Sequence, residues 1–202
     1  MTSMLSFALL WIVAVVTPGP NVLLIGSSAV ALRRRESLLT VAGILCGTVV
    51  WGCAGFFGVG LLFRAAPWIY IGLKLAGGGY IVYLGARLIL KGGEHPAALP
   101  AAARGAGRRA FRRGLMTQLS NPKSGAFVAT IFAATMPQDA PLSAGIAAVC
   151  TMVAISGSWY GLLAWGLGLA RVKAAYLKAR RGIERASGAL FVFFGLEIAL
   201  RK

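Results

Sequence analysis

Long uncharged runs, separated by short clusters of lysine and arginine, extend along almost the whole chain. The first run, residues 4–32, holds 29 residues without a charge. That is longer than an ordinary core helix and long enough to cross a bilayer as a helix. We predict an all-α integral membrane fold with six spanning helices over these residues: 4–32, 37–63, from about 68 to between 87 and 91, 114–136, 142–170 and 186–200.

The last predicted span is shorter than the others. Its 15 residues would reach about 22 Å as a helix, against a hydrocarbon core of about 30 Å. The basic residues 171–185 before it predict a separate amphipathic helix at the membrane surface. The sequence leaves open whether the last span crosses the membrane completely.

The composition leaves hardly any length for a soluble domain. The 202 residues are 58% hydrophobic and 13% charged, with a mean hydropathy of +0.77, as expected of an integral membrane protein. The net charge of +16 would suggest nucleic acid in a soluble chain. Here the basic residues lie in short loops between apolar spans, where membrane topology requires them, so we predict no nucleic-acid binding.

The basic residues also predict the orientation of the spans. Sixteen of the 21 lysines and arginines fall in three clusters on one alternating side, at residues 33–35, 87–113 and 171–185. Cytoplasmic loops carry the excess of positive charge, so this side is predicted to be the cytoplasm. Both termini then lie outside, and residues 92–113 form a mobile cytoplasmic connector.

The first span is broken by the run Thr17-Pro18-Gly19-Pro20-Asn21. Each proline removes a backbone donor, and the carbonyls that lose their partners are tolerated at membrane depth only where they face protein or water. Thr17 followed by Pro18 predicts a helix N-cap and first turn, so a second half-helix should begin there. A simple proline kink is the alternative interpretation.

The fourth span carries a matching break at Asn121-Pro122-Lys123. Asn121 is a good N-cap and Pro122 a good first-turn residue. Because each half would hold three spans, the two halves enter the membrane from opposite sides. We therefore predict one transmembrane domain, 1–202, built from inverted repeats at about 1–91 and 114–202. This is typical of transporters whose interrupted helices meet near the midplane.

Lys123 lies within a span and should have an anionic partner. The chain has five acidic residues, and only the last of them falls within a predicted span: Glu36, Glu94, Asp139, Glu184 and Glu197. We predict that the partner is the substrate, a carboxylate bound by Lys123 and by N–H groups near Gly19 and Asn21. The alternative is a lysine that is deprotonated or reaches the interface by itself.

Other residues carry weaker signals. Lys74 has a structural or a pathway role, and Tyr80 and Tyr83 are candidates for the same pathway. Glu197 is the only acidic candidate for proton coupling. The three cysteines lie in apolar spans without a CxxC pair or a nearby acidic cluster, so we predict buried free thiols and no metal or cofactor site: Cys46, Cys53 and Cys150.

These motifs together resemble the lysine exporter (LysE/RhtB) family. The resemblance rests on Thr-Pro-Gly-Pro-Asn at 17–21, on Lys74 with the glycines at 77–79 and Tyr83-Leu84-Gly85, and on Asn-Pro-Lys at 121–123. It implies export of amino acids or close derivatives from the cytoplasm across a bacterial inner membrane, driven by protons, through two inverted three-helix repeats. The triple glycine is richer in glycine than the family pattern. A homodimer is compatible with the glycine-rich helix faces.

Other functions remain open at this stage. The same fold could carry another small solute or an ion, and the chain could be a membrane-embedded redox protein, a channel or a structural protein. An enzyme would need a nucleophile with a positioned base or a metal cluster, and neither is recognisable. Since no acidic residue lies in the middle of a span to select a cationic side chain, neutral substrates such as homoserine, threonine or a branched-chain amino acid are favoured.

Overall fold

The computed structural model is helical throughout the residues it describes: 2–31, 34–65, 67–91, 107–137, 139–167 and 169–200. Over these residues the chain forms eight α-helices: α1 Thr2–Val16, α2 Pro20–Ala31, α3 Arg34–Ala65, α4 Pro67–Lys91, α5 Gly107–Leu119, α6 Pro122–Thr135, α7 Leu142–Gly166 and α8 Ala170–Leu200. The first and fourth predicted spans are each divided between two helices, as the proline motifs indicated.

The first break starts its second half-helix later than predicted. Thr17 closes α1, because its N–H and its hydroxyl both donate to the carbonyl of Val13, at 3.2 and 2.6 Å. The N–H of Leu23 donates to the carbonyl of Gly19 at 3.0 Å, which puts Gly19 in the N-cap position of α2. The prediction that Thr17 caps this helix was wrong. The helical region is disfavoured for a residue before proline, which agrees with Gly19 as the cap before Pro20.

The second break has the predicted cap. The Asn121 side chain accepts a hydrogen bond from the backbone N–H of Lys123 at 3.1 Å, and Pro122 occupies the first turn of α6. The fourth span, however, begins before residue 114. Helix α5 starts at Gly107, since Ala110 and Gly114 are buried while Arg108 and Arg109 are exposed, an amphipathic pattern within the predicted loop. The rest of that loop, residues 92–106, lies outside the described residues.

The basic segment 171–185 and the last predicted span form one continuous helix. Helix α8 has 31 residues, a length of about 46 Å at the helical rise, against a hydrocarbon core of about 30 Å. The predicted division near residue 186 is therefore wrong. Lysine and arginine are good helix formers, so the change from basic to apolar sequence marks a change of surroundings and not a helix end.

Two described helices are long and apolar enough to cross a bilayer alone, Arg34–Gly58 and Leu142–Gly166. The pair Met4–Val16 and Pro20–Gly26, bent by 53°, is a third candidate if it counts as one broken span. Helices α4 and α8 pack extensively against each other, and α3 packs against both α5 and α7. Many large apolar side chains are exposed on the described helices, so the bundle has apolar outer faces.

Contacts between the helices fix their relative directions. Along α3, Gly43 lies against Phe111 and Gly55 against Phe132, so α3 runs parallel to α5 and α6. Helix α7 runs the other way, because Gly145 near its start lies against Phe56, whereas Gly157 farther along lies against Leu45. Helix α1 is antiparallel to α6, because Phe7 contacts Phe132 near the end of α6, with ring centroids 5.2 Å apart. Thr17, at the other end of α1, is bonded to Lys123 at the start of α6.

Helices α3 and α5 cross in backbone contact through two glycines. A Cβ atom on Gly43 would collide with the carbonyl oxygen of Phe111, and one on Gly114 would collide with the carbonyl oxygen of Thr40. Only glycine allows two helix backbones to approach this closely. The crossing positions the C-terminal end of α5, and with it the second break, against the middle of α3.

Candidate functional site

The two helix breaks meet inside the bundle. Lys123, in the first turn of α6, donates a hydrogen bond from Nζ to the backbone carbonyl of Thr17 at 2.9 Å. Gly19 lies beside the same side chain, and a Cβ atom there would be 3.6 Å from Lys123 Cδ and Nζ. The structure therefore brings Thr17 and Gly19 together with Lys123, which lies more than 100 positions later in the chain.

Three sources of positive potential converge at this point. Helices α2 and α6 both begin here, at Pro20 and Pro122, and a helix N-terminus carries about half a positive elementary charge. The Lys123 ammonium adds to them. Its Nζ also lies 5.4 Å from the ring centroid of Phe191 and 6.0 Å from that of Phe127. The aromatic rings attract the ammonium, and the two helix N-termini favour an anion beside it.

A buried polar network connects the first break to the second. Asn21 Nδ2 donates to Gln118 Oε1 at 2.6 Å and to the Tyr160 hydroxyl at 3.2 Å. Gln118 Oε1 also accepts from Ser124 Oγ at 3.1 Å, and Gln118 Nε2 donates to Thr48 Oγ1 at 3.1 Å. All five side chains are buried. Networks of this kind hold each amide in one orientation.

Two tryptophan side chains donate hydrogen bonds to groups in or beside this network. Trp51 Nε1 donates to the backbone carbonyl of Gln118 at 3.0 Å. Trp11 Nε1 donates to the carbonyl of Met152 and to Ser156 Oγ, both at 3.1 Å. These bonds join α3 to α5 and α1 to α7, so elements from both halves of the chain position the polar groups.

The breaks and the network surround a very small cavity. It offers about 20 Å³ to the centre of a water-sized sphere, room for about one water molecule. An amino acid needs several times that space, so the cavity is too small to hold one in this conformation. The residues that line it are Trp11, Ala14, Val15, Thr17, Gly19, Asn21, Val22, Thr48, Gln118, Asn121, Lys123, Ser124, Phe127, Ser156 and Tyr160.

Five of the eight residues predicted for the substrate site line this cavity: Thr17, Gly19, Asn21, Asn121 and Lys123. Pro18, Pro20 and Pro122 do not, and they act by ending and starting the helices around it. Sequence reasoning missed Gln118, Thr48, Ser124 and Tyr160. A polar side chain three residues before a helix break was a usable signal for Gln118, whereas a threonine or a tyrosine inside an apolar run gave none.

The predicted pathway residues lie elsewhere. Tyr80 and Tyr83 are on α4 with ring centroids 6.2 Å apart, Tyr83 is 57% exposed, and neither lines the cavity. Lys74 and Glu197 belong to α4 and α8, but their side chains lie outside what the structure describes. Their roles stay predictions.

The cysteines were predicted to be buried, and this was wrong. Cys46, Cys53 and Cys150 are free and exposed, on the outer faces of α3 and α7. In a membrane span the outward face is as apolar as the inward one, so hydrophobic sequence alone does not tell a buried thiol from one on the surface of the bundle. Among the described residues, no three histidine, cysteine or acidic side chains are grouped to hold a metal ion.

Comparison with known proteins agrees with this architecture. The chain is 28% identical over 200 residues to the threonine efflux protein of Salmonella typhi, covering 96% of each protein. It is 26% identical over 201 residues to the threonine efflux protein of Escherichia coli K12, covering 98% of each. It also matches the uncharacterized membrane protein YahN of Escherichia coli K12, at 27% identity over 94% of the chain and 85% of that protein. No solved structure matches it.

The family comparison covers almost the whole chain. The LysE type translocator family matches residues 12–202, which include both proline motifs and every residue that lines the cavity except Trp11. This confirms the resemblance that the motifs indicated. The chain belongs to the LysE type translocator family.

Proposed function

We propose that this protein exports threonine or a similar small neutral amino acid from the cytoplasm, with the substrate carboxylate bound between the two helix breaks. The observation that carries the proposal is the position of Lys123 Nζ, 2.9 Å from the Thr17 carbonyl, where both half-helices begin. Relatives at 26–28% identity are threonine efflux proteins, which supports this substrate class.

The electrostatics of the site favour a carboxylate. A lysine in the first turn of a helix opposes the helix dipole, so Lys123 is unfavourably placed unless an anion accompanies it. Thr17 O satisfies only one of the three Nζ hydrogens in the closed conformation. A substrate carboxylate would accept from the Lys123 ammonium with both partners charged, and it would supply the negative charge that the Thr17 carbonyl lacks.

Alternating access explains why the cavity is so small. With room for about one water molecule, it cannot hold threonine unless the surrounding helices separate. The cavity is lined by elements from both predicted repeats, so a relative motion of the repeats would open it towards one side of the membrane or the other. In our proposal the structure represents a closed state between these two.

The helix contacts support two inverted repeats. Exchanging the halves pairs α1 with α5, α2 with α6, α3 with α7, and α4 with α8. An inverted repeat should show each such contact twice. The packing of α1 on α6 corresponds to the packing of α2 on α5, and both are observed. The packing of α3 on α6 corresponds to the packing of α2 on α7, and both of these are observed as well. The antiparallel directions of α1 and α6 are those that inversion requires. We propose repeats at about 1–91 and 114–202.

The basic ends of the described helices support the orientation. Arg35 at the start of α3 and Arg108 at the start of α5 line one surface cavity, so these two clusters lie at the same end of the bundle. Gly26 near the end of α2 lies against Leu167, just beyond α7 and four residues before Arg171. We propose that this end faces the cytoplasm of a bacterial cell and that both termini lie outside.

The test is counterflow of labelled threonine into proteoliposomes that contain the purified protein. We expect saturable exchange that unlabelled threonine stimulates from inside the vesicles. A channel would give flux without saturation, and an enzyme would give no exchange. Either result would rule out this proposal.

We further propose proton coupling through Glu197. For one proton per substrate, and with the membrane potential held at zero, an acidic vesicle interior should drive about tenfold accumulation of threonine per pH unit. Glu197→Gln cannot carry the proton, so we expect accumulation to fall to the level without a pH gradient, while counterflow, which needs no net proton movement, continues. Glu184→Gln, in the basic part of α8, is the matched control. Unchanged gradient-driven accumulation in Glu197→Gln would exclude this carrier.

A further inference from the structure

Asn21 holds a buried oxygen that has no hydrogen-bond partner. The residue is 5% exposed and lines the cavity, and its Oδ1 atom makes no hydrogen bond. Buried polar atoms in native proteins are almost always satisfied, and an exception at a binding cavity points to a group that is bound only part of the time. Whether the oxygen or the nitrogen of the Asn21 amide faces that group depends on the bonds around the amide.

The surrounding network fixes the orientation of the amide. Thr48 Oγ1 donates its single proton to the carbonyl of Ile44 at 3.0 Å, so it can only accept from Gln118 Nε2. Gln118 Oε1 must then face the other way, towards Ser124 and Asn21. Turning the Asn21 amide over would place two carbonyl oxygens 2.6 Å apart. The nitrogen of Asn21 is therefore held against Gln118, and the oxygen is left over.

The other hydrogen-bonding atoms of the Asn21 amide, and the oxygen of its acceptor Gln118, are used. Its two N–H groups go to Gln118 and Tyr160, and Gln118 Oε1 already accepts two bonds. Among the described side chains that line the cavity, Asn21 Oδ1 is the buried acceptor that remains open. A ligand that completes the network must bring a donor to this atom.

We infer that Asn21 Oδ1 accepts a hydrogen bond from the α-ammonium group of the transported amino acid, an inference that rests on the proposed function. The carboxylate and the ammonium of an α-amino acid are attached to the same carbon atom, so their binding groups must line one small cavity. Lys123 and Asn21 do so. The site then selects free zwitterionic amino acids and discriminates against carboxylic acids that lack the amine.

The first test uses the unmodified protein. In the threonine counterflow assay, 3-hydroxybutanoate, which is threonine without its amino group, should inhibit about 10- to 100-fold less effectively than unlabelled threonine, the effect of leaving one buried acceptor unsatisfied. Equal inhibition by the two compounds would overturn the inference while leaving the proposed function intact. Absence of counterflow for every amino acid would overturn both.

The second test uses variants. Asn21→Ala should raise the half-saturating concentration of threonine about tenfold or more and leave inhibition by 3-hydroxybutanoate within about twofold, so that the preference for the amine is lost. Ser28→Ala is the matched control, because the Ser28 hydroxyl is also buried and without a partner on α2 but does not line the cavity. A preference that survives in Asn21→Ala would overturn the inference, and the wild-type comparison decides the matter if that variant does not fold.

Discussion

Replacing Lys123 by glutamine should abolish most threonine exchange. The substitution removes the ammonium that, in our proposal, pairs with the substrate carboxylate, and losing one member of a buried charge pair costs about 2–5 kcal/mol, or roughly 30-fold and upward in affinity. Glutamine retains N–H donors and a similar length, so the loss of charge is the main change. The measurement is the half-saturating concentration of threonine in counterflow with Lys123→Gln.

The control for this experiment is a lysine outside the cavity. Lys178 is exposed on α8, and Lys178→Gln makes the same chemical change there, so its exchange should equal that of the wild type. A second comparison uses threonine amide, which lacks the carboxylate charge. The wild type should prefer threonine over the amide, and Lys123→Gln should lose that preference. Normal threonine affinity in a well-folded Lys123→Gln protein would exclude the carboxylate site.

Alanine at Gly43 or at Gly114 should prevent the bundle from folding stably. In both cases the added methyl group collides with the backbone carbonyl of the other helix, that of Phe111 or that of Thr40. Backbone cannot turn aside as a side chain can, so the helices must separate, and we expect a loss of about 3 kcal/mol, at the upper end of the range for overpacked cores. The measurement is the thermal unfolding midpoint of the purified protein in detergent.

Gly161 provides the matched control for the glycine crossing. It lies within α7, and nothing comes within 4 Å of a Cβ atom placed there. Alanine at this position should leave the unfolding midpoint unchanged or raise it, because alanine favours the helix by about 1 kcal/mol over glycine. If Gly43→Ala and Gly161→Ala behaved alike, the close crossing of α3 and α5 would not be a requirement of the fold.

Local sequence predicted the places where the helices break, because proline acts on the backbone around it regardless of the rest of the fold. The cap at Asn121 and the first turn at Pro122 followed from residue type alone. At Thr17 two alternatives competed, a cap for the next helix or a hydrogen bond to the preceding turn. The Thr17 hydroxyl bonds to the Val13 carbonyl, because the next helix begins only at Pro20 and offers no N–H group for Thr17 to cap.

Long-range partners could not be predicted in the same way. Asn21 and Gln118 are 97 residues apart, and neither position carries a signal that names the other. The apolar pattern also has a limit in membranes, because lipid and protein interior are equally hydrophobic. That is why the exposure of Cys46 differs from expectation. Helix α8 stays unbroken for a different reason, because its basic residues are themselves good helix formers.

The water-sized cavity has a consequence for the electrical tightness of the resting cell membrane. Protons leak through a protein along continuous files of hydrogen-bonded water, and a space that admits about one molecule cannot contain such a file. In the transport cycle that we propose, a cell could therefore keep many copies of this protein in its membrane without dissipating its ion gradients, and protons would cross only while the cavity is open.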